Sequence, residues 1–260
     1  MEKTSLRGIR FDFMADSVKQ FIKGYKGKFV VGLSGGLDSS VTALLASRAV
    51  GSENILGVIM PDRESTLPED IKDAQKMVDL LGIESETLHI DEVLQAYRTK
   101  LNPDARTLGN LKARIRMSLL YIFANSEGRI VLGTGDKSEI YLGYFTKYGD
   151  GGVDILPIGD IYKTELRELA SYLGVPENII EKKSSPRLWQ GQLAESELGV
   201  TYEYADRVLY RLIDLGEDGN AIIREEGERA RRVIELCAMS EHKRKMPPIA
   251  FVSKPAGSIG

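Results

Sequence analysis

Four short β-rich runs alternate with helix-period segments through the first half of the chain, and that alternation limits the folds open to it. The runs lie at 28–33 (KFVVGL), 55–60, 86–90 and 129–133. Helical stretches at 39–50, about 67–81, 91–101 and 108–126 separate them. Strands joined by helical crossovers must run parallel and be covered on both faces. The expected fold is therefore α/β, a doubly wound and mainly parallel sheet. In such sheets ligands bind beyond the carboxyl ends of the strands. This singles out the loops after Leu33 and after Leu132.

The remaining segments are helical. Phe11, Met14, Val18, Phe21, Ile22 and Tyr25 share one face of an opening helix that Gly24 and Gly27 end. The string from Thr66 to Glu69 has the spacing of a capping box, with Pro68 in the first turn. Helices are expected at 163–173, 202–215 and about 219–239, followed by a non-helical tail with Pro247, Pro248 and Pro255. Residues 184–195 (SSPRLWQGQLAE) lack periodicity and read as a mobile loop holding the only tryptophan. We expect one domain over 1–260. It comprises a helical N-terminal segment (about 1–27), an α/β core (about 28–183) and a loop with C-terminal helices (about 184–260).

Composition narrows the chemistry. Cys237 is the only cysteine, so no internal disulfide and no multi-cysteine metal site can form. The two histidines, His89 and His242, exclude a three-histidine site. Cys237 and His89 read as packed structural residues. A net charge of -3 predicts no bulk attraction to nucleic acid. No apolar run approaches a membrane span, and no signal peptide opens the chain, so a cytoplasmic protein is expected.

The densest motif is Ser34-Gly-Gly-Leu-Asp-Ser39, between an expected strand and helix. Glycines let successive N–H groups converge on an anion, and the helix adds its positive end. Asp38 would repel phosphates unless a cation such as Mg²⁺ takes oxygens from both. The lysine that ends a Walker P-loop is missing. The string instead resembles the PP-loop of the ATP-pyrophosphatase superfamily, which cleaves ATP between its α and β phosphates.

A second dense segment, 132–166, narrows the resemblance. With Phe-Thr-Lys-Tyr-Gly-Asp-Gly-Gly at 145–152, it looks like the NAD synthetase family, and the similarity runs from about Gly32 to Lys245. That resemblance implies an adenine nucleotide alpha hydrolase-like fold. It also implies a ligase that converts deamido-NAD, ATP and ammonia to NAD, AMP and pyrophosphate. It places Gly32, Leu33, Ser34, Gly35, Gly36, Leu37, Asp38, Ser39, Thr134, Lys163 and Ser185 at ATP. Ser185 stands where the family usually has threonine. Mg²⁺ falls to Asp38 and Glu139, and deamido-NAD to Arg114, Lys147, Asp154, His242 and Lys243. Asp38 and Lys163 count as catalytic, as does Asp150, which would attract ammonium and take its proton. The other role open to Asp150 is a second metal ion.

From the residues alone, Arg114 reads as a solvated helix arginine, Asp150 and Asp154 as turn residues, and 241–245 as cations closing a helix. The resemblance further implies a homodimer, with apolar stripes on the first helix and the 108–126 helix available for pairing. It leaves no room for a glutaminase domain, which points to free ammonia. The alternatives are another PP-loop enzyme (GMP synthetase-like or tRNA-thiolating) and a non-catalytic nucleotide-binding protein.

Overall fold

The computed structural model describes residues 5–101, 103–250 and 252. Its centre is a parallel sheet of β1 (Lys28–Gly32), β2 (Ile55–Ile59), β3 (Glu84–Thr87) and β4 (Arg129–Leu132), in the order β3-β2-β1-β4. The chain winds outward through β2 and β3, then returns to the far side of β1. The crevice at this reversal lies between the carboxyl ends of β1 and β4. Both loops singled out from the sequence open there.

Alternation within β1 assigns the two faces. Phe29 and Val31 join one buried cluster and Val30 another, all three with no solvent exposure. On the first face lie α1 (Phe11–Lys23), α2 (Leu37–Val50), α3 (Pro68–Leu81) and α7 (Lys163–Leu173). The second carries α4 (Asp91–Leu101) and α5 (Ala105–Glu127). Because α2 packs on α1, α3 and α7 as well as on the sheet, it is buried on nearly every side. A third cluster unites the short α6 (Lys137–Leu142) and α9 (Ala194–Leu198) with α10 (Tyr202–Leu209), α11 (Gly219–Glu226) and α12 (Glu228–Met239). The four-residue α8 (Glu177–Ile180) follows α7. Among the described residues no helix is long and apolar enough to cross a membrane.

Several expectations need correction. Thr66 forms no capping box, because its hydroxyl accepts from the Asp62 N–H (3.0 Å) and Leu67 becomes the N-cap without a side-chain bond. β3 ends at Thr87 instead of reaching Ile90, and it is a mostly exposed edge strand. His89 is consequently exposed, beside Asp91, and is not packed. Phe21 and Tyr25 lie on the surface against each other, with ring centroids 5.3 Å apart. α5 starts at Ala105, because the Asp104 carboxylate accepts from the Thr107 N–H. The helix expected over 219–239 breaks at Gly227 (φ 78, ψ -157), a conformation that residues with a Cβ avoid. Cys237 is buried as expected, whereas Pro255 lies outside the described residues.

Asp206 of α10 joins the helical part to the α/β core. Its carboxylate accepts from Ser138 Oγ (2.5 Å) and from the Thr164 N–H (2.9 Å) and Oγ1 (2.8 Å). Ser138 Oγ in turn accepts from the Lys163 N–H at 2.8 Å. Burial pushes the Asp206 carboxyl up to about 7. An unfolded chain loses that proton near the ordinary carboxylate value, so at intermediate pH the native state holds the extra proton. This contribution to stability is complete below the ordinary value and disappears as pH rises through 7. The unfolding free energy of Asp206→Asn relative to the parent should therefore move in the variant's favour between about pH 4 and pH 8. Urea denaturation of both proteins across that range measures it, and a constant difference would refute the link.

Candidate active site

One cavity of about 360 Å³ lies over the sheet reversal, within the size range of small-molecule sites. The 34–39 loop forms one wall. Gly35 takes φ 73, and a Cβ there would sit 2.0 Å from the Asp70 carbonyl oxygen, so the loop needs glycine to lie against α3. Serine hydroxyls curl it further. Ser34 Oγ meets Ser39 Oγ at 3.1 Å and accepts from the Gly36 N–H, while Ser40 Oγ donates to the Gly36 carbonyl at 2.7 Å. The N-cap of α2 is Gly36, which offers no side-chain acceptor. The first N–H groups of a 14-residue helix are thus left to face an anion.

Behind this loop sits an ion cluster. Lys163 Nζ is fully buried, 2.5 Å from Asp38 Oδ1, 2.9 Å from Asp136 Oδ2 and 3.0 Å from Glu139 Oε1. Burial alone would pull the ammonium's pKa down, but the three carboxylates outweigh it and hold it well above the usual lysine range. Burial pushes Asp136 and Glu139 up, repulsion from Asp38 adds to both, and repulsion from Asp136 adds further to Glu139. Three carboxylates against one ammonium leave a surplus of negative charge. One oxygen from each of the three lies within 4.8 Å of the others. Such a donor set fits a hard divalent cation.

The expected ATP residues fall in two layers. Gly32, Leu33, Ser34, Gly36, Leu37 and Asp38 line the cavity from one side, and Thr134, Glu139 and Ser185 from the other. Gly35, Ser39 and Lys163 lie behind that surface. Asp150 and Lys243 also line it. Asp150 is exposed where it lines the cavity; its Oδ1 accepts from the Thr146 N–H at 2.8 Å, and desolvation by the surrounding protein raises its pKa. Lys243 donates to the Gly143 and Phe145 carbonyls, each at 2.7 Å, and burial lowers its pKa.

Arg114, Lys147 and His242 form a linked patch outside the cavity. Arg114 Nη2 donates to the Lys147 carbonyl (3.3 Å), and Lys147 Nζ to the His242 carbonyl (2.7 Å). Asp154 stands apart: its carboxylate accepts from the Val131 N–H (2.8 Å) and from Tyr121 Oη (2.9 Å). The basic run at 241–245 divides by residue. Arg244 closes α12 and α6 by donating to the Cys237, Ile140 and Tyr141 carbonyls, while His242 stays exposed.

Asp136 and Arg116 are absent from the sequence-based set. Asp136 caps α6 by accepting from the Glu139 N–H, a side-chain N-cap three residues ahead of Glu139 that was legible at 136–139. Arg116 reaches the Met60 carbonyl and Asp62, each at 2.9 Å, and lines the cavity. The 184–193 segment has no helix up to Leu193, and Leu188 and Trp189 pack over Gly109 of α5.

The sequence model of the family described as NAD synthase matches residues 10–247. An NH3-dependent NAD+ synthetase of Hyperthermus butylicus is 49% identical over 254 residues, covering 94% of this chain and 92% of that protein. Among solved structures, an NMN synthetase from Francisella tularensis superposes with a TM-score of 0.82 at 34% identity, covering 93% of this chain and 99% of the other. An NH3-dependent NAD synthetase from Campylobacter jejuni gives 0.76 at 32% identity, covering 93% and 97%. The similarity runs through core, crevice and C-terminal helices alike, well beyond the phosphate loop, and the chain belongs to the NAD synthase family.

Proposed function

We propose that this chain is an ammonia-dependent NAD synthetase, a ligase that forms an amide bond at the nicotinate carboxylate of deamido-NAD. One observation carries the reading. The open helix end of the phosphate loop, the Asp38 and Glu139 carboxylates of the acidic cluster and Asp150 all border one crevice, with Asp136 buried behind them. In the first step a carboxylate oxygen bonds to the α-phosphorus of ATP and pyrophosphate leaves. In the second, ammonia bonds to the acyl carbon and AMP leaves. Two anions must meet in the first step, so positioning and charge neutralisation dominate it. The α2 N–H groups receive phosphate oxygens. Lys163, held charged by its carboxylates, adds a positive charge behind the loop. Asp38 and Glu139, with Asp136, would hold Mg²⁺, which supplies charge neutralisation between the phosphates when bound.

Asp150 fits the ammonium step. A carboxyl with a raised pKa is a stronger base than an ordinary one, and base strength governs proton removal. Asp150 belongs to no metal-sized acidic group among the described residues, which favours this role over a second metal. Arg114, Lys147, His242 and Lys243 form the side that receives the dinucleotide. Trp189 and Leu188 cover the crevice, and excluding water protects the adenylate from hydrolysis. We further propose a cytoplasmic homodimer. Phe13 on α1 and Ile122 on α5, 65% and 60% exposed, are apolar residues that a second copy would cover. Free ammonia is the proposed nitrogen donor, with no nucleic acid or membrane partner.

The likeness to an NMN synthetase favours one second reading, in which the substrate is the mononucleotide. Against it, the basic patch outside the ATP cavity suits the larger dinucleotide. Amide formation from ATP, ammonium and either deamido-NAD or nicotinate mononucleotide, followed by chromatography, separates the two. A higher kcat/KM for deamido-NAD is expected, and preference for the mononucleotide would install the second reading. With glutamine in place of ammonium, turnover should fall to background. Asp38→Ala should cut turnover by roughly 10²-fold or more while thermal stability holds, because it removes charge from an over-acidic cluster and nothing from the core. Asp150→Asn should slow amide formation by roughly 10²- to 10⁴-fold yet keep pyrophosphate–ATP exchange. Equal loss of both would remove Asp150 from the ammonium step.

A further inference from the structure

Arg187 has φ 51, a conformation that a residue with a Cβ disfavours. Only Tyr148 shares this property among the described residues that are not glycine. Three anchors hold Arg187 there. Its carbonyl accepts from Ser65 Oγ at 2.6 Å, its N–H donates to Ser185 Oγ at 3.2 Å, and its Nε lies 3.0 Å from Asp70 Oδ2. Ser65 is fixed in turn. Its hydroxyl meets the buried Asp62 carboxylate and Lys112 Nζ, which is 2.9 Å from Asp62 Oδ1. The backbone is therefore tied to the α/β core, while among the described residues the guanidinium is held by the Asp70 carboxylate alone.

That carboxylate stands at the phosphate loop. Asp70 Oδ1 is 2.9 Å from Lys182 Nζ, which also donates to the Gly35 carbonyl at 2.9 Å and lies 2.5 Å from Asp73 Oδ2. Gly35 packs on the main chain of Asp70. Arg187 thus reaches the cavity wall beside the loop that faces phosphate. Lys182 keeps Asp73 and Gly35 as partners even if Asp70 turns elsewhere. Among the other cations on the wall, Arg116 is engaged by Asp62 and the Met60 carbonyl and Lys243 by two carbonyls, while Arg106 and Lys183 also line it.

Resting on the reading of this cavity as an ATP site, we infer that Arg187 is a phosphate-contacting residue for the pyrophosphate half of ATP. Its guanidinium exchanges Asp70 for the departing phosphate oxygens. A planar fork matches two such oxygens at once, and Asp70 keeps it oriented until they arrive. The strained backbone follows from this role. Glycine would relieve the strain at 187, but only a long cationic side chain reaches the phosphates from that point.

Arg187→Gly separates charge from backbone. Calorimetric titration of the full-length protein with Mg²⁺ should show ATP and inorganic pyrophosphate binding weakened roughly tenfold or more. AMP, which lacks the pyrophosphate half, should bind within about twofold of the parent. The melting temperature should be unchanged or higher, since the strain is gone. Arg187→Lys, which keeps charge but loses the fork, should fall between the two. Unaltered pyrophosphate binding in Arg187→Gly, or parallel losses for pyrophosphate and AMP, would overturn the inference and leave the proposed function standing. If the parent itself bound no ATP, both would fall.

Discussion

The buried ammonium of Lys163 is the interaction on which the rest of this architecture turns. It draws together Asp38 from the start of α2, Asp136 from the N-cap of α6, Glu139 from α6, and the first residue of α7. Each carboxylate would be costly to bury alone, and so would the ammonium. Together they remain excessively acidic, which makes the cluster a cation site as much as a structural one. The loops after β1 and β4 are thereby pinned at the sheet reversal, where a parallel sheet can bring two loops against one ligand.

Around this centre, further buried polar groups fix the walls. Asp206 anchors the α7 terminus from the helical part through Ser138 and Thr164. Asp62 gathers Ser65, Lys112 and Arg116 beneath the opposite wall. Lys112 and Arg116 overcome the cost of burying Asp62 and hold its carboxyl below the usual range, so it stays charged. Catalysis of a reaction between two anions rewards such rigidity, because dipoles and charges already oriented need no reorganisation when charge moves. The same polar networks fix the covering segment at 184–192, whose Ser184 carbonyl accepts from the Ala194 N–H at 3.0 Å.

Much of the fold was legible from local pattern. The order of strands and helices follows from periods of two and 3.6, which depend on neighbours in the chain. The phosphate loop was legible for the same reason: its glycines, serines and helix start are contiguous. Features that failed also have local causes. A six-residue helix such as α6 is too short for periodicity, and Thr66 was claimed by Asp62 before it could cap α3. Apolar spacing placed Phe21 and Tyr25 on the apolar face of the opening helix, yet both lie on the surface. A stripe does not say how much of itself the core will cover.

The sequence by itself determined the alternating α/β order, the glycine-dependent turn at Gly35 and the candidate residues of the site. Only the tertiary structure decided how those residues divide. It set Lys163 behind the cavity surface, Asp154 into the backbone at Val131, and His242 with Lys147 on an outer patch. It also brought Arg187 to Asp70 across 117 positions of chain, read from their numbers. The physical reason is range. Turns and periods are written by residues a few positions apart, whereas burial, ion pairing and shifted proton affinities depend on groups that meet only when the sheet closes and its helices pack.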